Sequence, residues 1–264
     1  MNIKILYLLL FLSVFLFSCG VSYPKETLQQ DAVKLIKKET GIETSVKLYG
    51  TTMYLDVLMD ELATQNSEEL KNVYKTLQKI VSTIVRVPIS SDADIKIVVV
   101  SAFDGKYNVL LRLFENIDDI KLYSHQLISR TDYEQRQLME IVGPGAAEKT
   151  VENKHEITDE EFVSRLSVSQ LGLSAKNNPF LAAIISKLDL QYLLYKDGTV
   201  FVLMNSVDNS TVVELLKKNI KDEFEKNIKK YKTFDIKSAI LYDKTGKLFA
   251  KLKFETAVEK TAGL

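Results

Sequence analysis

The chain has 264 residues, with 35 basic and 35 acidic side chains, and 46% of its residues are apolar. This balance is typical of a folded protein and excludes a disordered acidic tail, a collagen-like chain and a strongly basic nucleic-acid-binding protein. One cysteine cannot form an internal disulfide, and with two histidines it cannot form a Cys/His zinc cluster. We therefore expect no metal, no cofactor and no nucleic-acid partner.

The N-terminus has the layout of an export signal. One cationic residue, Lys4, precedes an apolar run from Ile5 to Phe17. That run is shorter than the roughly 20 apolar residues that a membrane-spanning helix needs. A charged start, an apolar centre and small residues at the end are typical of a secretory signal peptide. We predict that residues 1–18 form this signal peptide.

The end of the signal, Leu16-Phe17-Ser18-Cys19, resembles the lipobox of bacterial lipoproteins. The resemblance implies cleavage before Cys19, a diacylglycerol on its sulfur and a fatty acid such as palmitate on its amine. It also implies an exported, membrane-anchored protein of the cell envelope. Because Gly20 rather than aspartate follows, the resemblance implies the outer membrane of a two-membrane host, or otherwise the outer face of the cell membrane. An uncleaved apolar anchor is the alternative interpretation.

The pattern of apolar residues predicts helices and hairpins in the first half of the exported chain. Spacings of three and four indicate helices, and alternation on either side of Gly50-Thr51 indicates a hairpin. In order, the patterns predict a helix over 24–39, a hairpin over 45–59, a helix over 70–84, a hairpin over 94–115 and a helix over 132–142.

Gly143-Pro144-Gly145 marks the strongest break in the chain, because glycine and proline punctuate regular structure. We predict a first unit over residues 19–142, a linker over 143–157 and a second unit over 158–264. The second unit is predicted to contain a helix opened by Thr158-x-x-Glu161, a short helix from Asn178-Pro179, a hairpin over 190–204 with an Asp197-Gly198 turn, a helix over 211–231 and a hairpin over 235–255.

The two units read alike. Asp94-Ile95-Lys96 and Phe114-Glu115 bound a hairpin of the first unit, and Asp235-Ile236-Lys237 and Phe254-Glu255 bound one of the second. This recurrence predicts an internal duplication. The predicted fold class is α+β, with two α-β-β-α-β-β units whose antiparallel hairpin sheets pack against helices.

Two predicted strands are almost continuously apolar: Ile97-Val98-Val99-Val100 and the run from Thr199 to Met204. A strand with one face in water alternates between apolar and polar residues. These runs predict that both faces of each sheet are covered. The cover is expected from the extra helices or the other unit, with a partner protein as the alternative.

No catalytic residue is predicted. The chain has no Gly-x-Ser-x-Gly elbow and no phosphate loop. His125 and His155 lie in separate predicted loops, and Asp92-x-Asp94 is most simply the end of a loop before a strand. Enzymatic activity from an unrecognised site is the least favoured hypothesis.

Four tyrosines of the two first hairpins are the candidate binding residues: Tyr49, Tyr54, Tyr192 and Tyr195. Outward-facing rings would form a binding patch, whereas inward-facing rings are ordinary sheet packing. The favoured hypothesis is a non-catalytic, lipid-anchored interaction or scaffold protein with an envelope protein as its partner. The alternative is a small-molecule-binding lipoprotein with its ligand between the two units.

Overall fold

The computed structural model describes residues 23–60, 62, 64, 66–174, 185, 187–205 and 210–255. The predicted signal peptide, Cys19 and the predicted helix start at Asn178-Pro179 lie outside these residues. The helices and strands of the first unit are α1 (Leu28–Thr40), β1 (Thr44–Tyr49), β2 (Thr52–Leu58), α2 (Ser67–Ile84), α3 (Arg86–Ile89), β3 (Ile97–Asp104), β4 (Val109–Asn116), α4 (Ile117–Ser124), α5 (Arg130–Glu134) and β5 (Leu138–Val142). The linker contains α6 (Ala147–Glu152), and the second unit contains α7 (Asp159–Ser174), β6 (Gln191–Lys196), β7 (Thr199–Met204), α8 (Ser210–Tyr231), β8 (Ser238–Asp243) and β9 (Leu248–Lys253).

The first sheet has five strands in the order β1-β2-β3-β4-β5. The predicted hairpins β1–β2 and β3–β4 are antiparallel, as expected. Between them, β2 and β3 run parallel, with Thr52 opposite Ile97. Parallel neighbours need a crossover, and α2 provides it. Asn66 caps the start of α2 by accepting a hydrogen bond from the Glu68 amide at 3.0 Å.

The second sheet repeats this arrangement with four strands, in the order β6-β7-β8-β9. Its central pair, β7 and β8, is also parallel, with Thr199 opposite Ser238, and α8 forms the crossover. The two outer pairs are antiparallel. The predicted α+β class with two similar units is confirmed, and a parallel pair joins the two hairpins of each unit.

The helix predicted over 132–142 is wrong. The structure has one helical turn, α5, which Ser129 caps by accepting from the Asp132 amide at 3.0 Å. The following residues form β5, an antiparallel neighbour of β4. Leu138 and Ile141 fit a helical spacing, but only Leu138 is buried. Pairing with β4 therefore decides the structure of this segment, and local spacing does not.

The helices α1 and α2 cover one face of the first sheet. Leu28, Ala32 and Ile36 of α1 are fully buried, at the spacing the sequence predicts. They pack with apolar residues of α2 and with one face of β2 and β3, including Leu55 and Val98. Burial of this stripe is the main force that holds α1 and α2 on the sheet.

The other face of the first sheet enters a core that both units share. Tyr54, Val99 and Phe114 of the first unit belong to one buried cluster with Phe162 of α7 and Val202 of β7. Because Val98 and Val99 of β3 are both fully buried, on opposite faces, the predicted cover on both faces is confirmed for this strand.

The described residues cover only one of the two faces of the second sheet. Along β7, Val200, Val202 and Met204 are buried in the shared core, whereas Phe201 and Leu203 point outward and stay partly exposed. The prediction that internal packing covers both faces is therefore not met at β7. The layers run from α1 and α2, through the first sheet, through α7 and α8, to the second sheet.

The β6–β7 turn offers a test of local backbone geometry. Gly198 has φ of +77°, and a Cβ there would lie 2.9 Å from the Asp235 carbonyl oxygen. We expect Gly198→Ala to lower the free energy of unfolding by about 2 to 3 kcal/mol, from the left-handed backbone and the close contact together. Gly246 has φ of +83° but no atom within 4 Å of that Cβ position. The matched variant Gly246→Ala should lose only about 1 kcal/mol, and equal losses in chemical denaturation would contradict the proposed contact.

Candidate functional site

A row of polar side chains crosses the first sheet on the face toward the shared core. The strand register sets Ser45 opposite Asp56, Asp56 opposite Ser101, Ser101 opposite Arg112 and Arg112 opposite Glu140. Because alternate residues of a strand point to one face, this row lies beside the apolar row of the shared core. Charged groups in such a place need partners to offset the loss of water.

The second unit supplies a partner through Arg165 of α7. Its Nη1 donates to a Glu140 carboxylate oxygen at 2.8 Å, and its Nε donates to a Glu161 carboxylate oxygen at 2.8 Å. The guanidinium lies 4.4 Å from the centre of the Tyr192 ring, within the range of a cation–π contact. Burial lowers the pKa of Arg165, but the charges of Glu140 and Glu161 raise it by more, so its pKa lies above the ordinary value. Arg165 is therefore a permanently charged link between the units.

The linker also contacts the first sheet, through an ion pair and a hydrogen bond. Lys154 forms an ion pair with Asp56. The Tyr54 hydroxyl donates to the His155 carbonyl at 3.0 Å. Burial raises the pKa of Tyr54 above its ordinary value, so the hydroxyl keeps the proton that it donates. The linker thus holds one end of the polar row in place.

The positive and negative charges of the polar row and its partners balance, and we call this group of ion pairs the network. Three cations face three carboxylates: Lys154, Arg112 and Arg165 against Asp56, Glu140 and Glu161. The exposed His155 ring lies 3.0 Å from Glu161. No group of three or more metal-ligating side chains occurs among the residues that the structure describes. Paired charges of this kind are typical of a structural contact between two units. Within the network they leave no unpaired group that could act as a base or nucleophile.

A groove of 260 Å³ opens at the same end of the polar row, beside Ser45 and Asp56. Its polar lining includes Thr44, Ser45, Asp56 and Ser101, with Phe103 as an apolar wall. Thr44 Oγ1 and Asp56 Oδ1 are buried oxygens without a hydrogen-bond partner in the structure. The Asp56 side chain lies on the same sheet face as Ser45 and Ser101, so its free oxygen can accept a hydrogen bond from a small molecule in the groove, whereas the Thr44 side chain points to the other face. All of the lining residues belong to the first unit, so this groove does not lie between the units.

The four candidate tyrosines pack against the shared core and do not form an outward patch. Tyr54 is fully enclosed there, and Tyr49, Tyr192 and Tyr195 are partly buried against it. The rings of Tyr49 and Tyr54 meet edge to face with centroids 5.6 Å apart. Their inward direction follows from the register, because Tyr192 and Tyr195 pair with the buried Val202 and Val200. The structure brings all four to one core and assigns them to sheet packing.

The other candidates lie apart from this network. Cys19, the predicted lipidation residue, is outside the described part of the chain. The imidazole of His125 is exposed after α4, and Asp92 accepts a hydrogen bond from the Lys25 amide at 2.7 Å. Within residues 23–255, as far as the structure describes them, no helix is long and apolar enough to cross a membrane.

Sequence reasoning missed a buried carboxylate, Glu115 at the end of β4. It accepts hydrogen bonds from the Tyr133 hydroxyl at 2.8 Å and from the Gln137 amide at 2.9 Å. Burial raises the pKa of Glu115 to about 7. Nearby, Asp119 binds Arg136 at 2.5 Å and the Tyr231 hydroxyl at 2.6 Å. Since Tyr231 belongs to the second unit, this cluster is a second polar joint between the units.

The outward face of the second sheet is apolar and open among the described residues. Leu194 is 45% exposed and Leu248 is 56% exposed. Between them lie the partly exposed side chains of Phe201, Leu203, Ile240 and Tyr242, set side by side by the register. The Phe201 and Tyr242 rings are parallel, with centroids 6.4 Å apart. We call these six residues the outer face. Contiguous exposed apolar side chains of this kind mark interaction sites.

Lysines are the charged residues at the outward positions of the second sheet. Lys196 follows Leu194 on β6, and Lys251 and Lys253 pair with Ile240 and Ser238. All three side chains are exposed. The outer face therefore combines an apolar centre with a positively charged margin.

Comparisons of the chain with protein-family models, with curated proteins and with solved structures find no match.

Proposed function

We propose that this chain is a non-catalytic, lipid-anchored protein of the cell envelope that binds a partner protein. The observation that carries the proposal is the outer face of the second sheet, which is apolar and open, whereas the charged groups between the units are paired. The paired charges hold the two units together. The exposed apolar face of the second sheet is then suited to binding a partner.

The anchor is part of the proposal and rests on the lipobox-like Leu16-Phe17-Ser18-Cys19. Two or three acyl chains hold a protein stably on a membrane, whereas one chain does so only marginally. Tyr23 is already placed against the folded unit through a bridge to Ser91. The lipid would therefore hold the folded part close to the membrane surface.

The proposal is tested by cross-linking in membranes followed by recovery of a C-terminally tagged chain. Wild type is compared with Cys19→Ala, which cannot be lipidated, and with Ser18→Ala, which keeps a small residue before the cysteine. We expect a fatty-acid label and one stoichiometric envelope protein with wild type and Ser18→Ala, and neither with Cys19→Ala. Recovery of no stoichiometric partner from any form would contradict the interaction role, and label on Cys19→Ala would contradict the anchor.

A second candidate function, small-molecule binding, is favoured by the groove at Asp56, where a buried carboxylate oxygen has no hydrogen-bond partner among the described residues. Native mass spectrometry of the folded chain tests it. A bound small molecule that is retained by wild type and lost in Asp56→Asn would support it, and an unliganded mass for wild type would count against it.

A further inference from the structure

The first unit contains a sheet face equivalent to the outer face of the second sheet, and in the first unit this face is covered. In the first unit, the positions that match Phe201 and Ile240 by register are Tyr54 and Val99. Both are buried in the shared core. Their cover includes α7, which contributes Phe162, Val163 and Leu166. The linker and the helix α7 together cover this sheet face in the first unit, and α7 contributes the helical part of that cover.

The second unit is more apolar than the first at the remaining matched positions. Where the first unit has Asp56 and Ser101, the second has Leu203 and Tyr242. The described helix contacts of the second sheet come from α7 at β6 and from α8 at β9, on the side of the shared core. Burial of the side chains of Phe201, Leu203, Ile240 and Tyr242 under an added helix would be favourable, because apolar area leaves water.

The lysines around the outer face limit which kind of helix can bind there. Lys196, Lys251 and Lys253 border the apolar centre, and none of them forms an ion pair with another residue that the structure describes. A helix with acidic residues beside its apolar stripe would complement this margin, whereas a basic helix would be repelled. Among the described helices of this chain, those that pack on the sheets already bury their apolar stripes in the two cores. Two copies packed outer face to outer face would bring their lysine margins together, so like-charge repulsion also disfavours a second copy.

The position of the anchor argues against a lipid surface as the occupant. Tyr23 packs on the core of α1 and α2, at the opposite side of the layers from the outer face. Three layer spacings of about 10 Å separate the two sides, or roughly 30 Å. The four residues from Cys19 to Tyr23 span at most about 14 Å when fully extended. The outer face therefore cannot lie flat on the membrane that holds the lipid.

We infer that the outer face docks an amphipathic helix of a partner protein, with acidic residues flanking its apolar stripe, on the side away from the membrane. The inference rests on the proposed interaction role and specifies its surface and the chemistry of the partner. The helix places its apolar residues against Phe201, Leu203, Ile240 and Tyr242, and its carboxylates meet the three lysines. Affinity comes mainly from the apolar centre, and orientation from the charged margin.

The test is photo-cross-linking in the cells that make the protein, with p-benzoylphenylalanine in place of Leu194 or Leu248. The same residue in place of Leu58, which is exposed on the first unit, is the matched control. We expect Leu194 and Leu248 to yield one common protein that Leu58 does not yield. Mass spectrometry of the joined peptides should place the linked residue in a segment with apolar residues at helical spacing and flanking Asp or Glu. Thermal unfolding of each variant checks that it folds.

The lysines are tested in the same cells. Changing Lys196, Lys251 and Lys253 together to glutamate should lower the cross-linking yield from Leu248 by about tenfold, because like charges would then face each other. Charge reversal at Lys34, Lys38 and Lys75, which are exposed on α1 and α2, should leave that yield unchanged.

Other outcomes overturn the inference. Joined peptides from a second copy, from residues 256–264 of the same chain, from lipid or from an extended or basic segment identify a different occupant. A partner joined only through Leu58 leaves the interaction role intact and removes the outer face as its site. No protein joined from any of the three positions contradicts both proposals.

Discussion

Replacing Arg165 with alanine is expected to lower the free energy of unfolding by about 3 to 5 kcal/mol, the usual cost of breaking a buried ion pair from one side. The Arg165 side chain is 11% exposed and binds both Glu140 and Glu161. Among the described residues, its loss leaves the Glu161 carboxylate with the exposed His155 as its partner, and it removes the contact with the Tyr192 ring. Chemical denaturation of the variant measures the loss.

The matched control is Arg130→Ala. Arg130 pairs with Glu134 on the solvent side of α5, where both side chains are more than half exposed. An exposed pair of this kind contributes less than about 1 kcal/mol. Similar losses for the two variants would show that Arg165 is not a link between the units.

Replacing Glu115 with glutamine is expected to remove a pH dependence from the stability of the protein. Burial raises the pKa of Glu115 from 4.5 to about 7 in the folded chain. The folded state therefore binds this proton more tightly than the unfolded state. Its stabilisation is complete below pH 4.5 and is lost as the pH rises through 7. A difference of this size corresponds to about 3 kcal/mol.

Glutamine has nearly the same shape and still accepts a hydrogen bond from Tyr133, but it carries no charge at any pH. We expect Glu115→Gln to match wild type near pH 4 and to exceed its free energy of unfolding by up to about 3 kcal/mol at pH 8. The nearby Asp119, paired with Arg136 and Tyr231, is unchanged in the variant. The exposed substitution Glu214→Gln should leave the slope with pH as in wild type. Parallel stability curves for wild type and Glu115→Gln between pH 5 and 8 would contradict the raised pKa.

The order of helices and strands could be predicted because the patterns that specify them are local. Alternation around Gly50-Thr51 and the Asp197-Gly198 turn fix two hairpins, and the stripe of Leu28, Ala32 and Ile36 fixes α1. The strand β5 could not be predicted, since Leu138 and Ile141 suit a helix and only pairing with β4 distinguishes the two structures.

The polar joint between the units could not be predicted for a related reason. Arg165 and Glu140 are far apart in the chain, and their meeting depends on how α7 lies on β5. The direction of the four tyrosines likewise depends on which sheet face enters the shared core. One signal was available: a glutamate between Met139 and Ile141 in an apolar run indicates a charge that needs a partner.

The proposed interaction through the outer face is tested most directly by comparing partner recovery from three tagged forms that keep Cys19: wild type, Leu194→Lys with Leu248→Lys, and Leu58→Lys. Leu194 and Leu248 belong to the outer face, and Leu58 is exposed on the first unit. All three forms should fold with similar melting temperatures, because each substitution adds a charge where the side chain already meets water. The outer-face variant should lose the partner that wild type and Leu58→Lys both recover. Equal recovery of that partner from all three forms would contradict docking at the outer face.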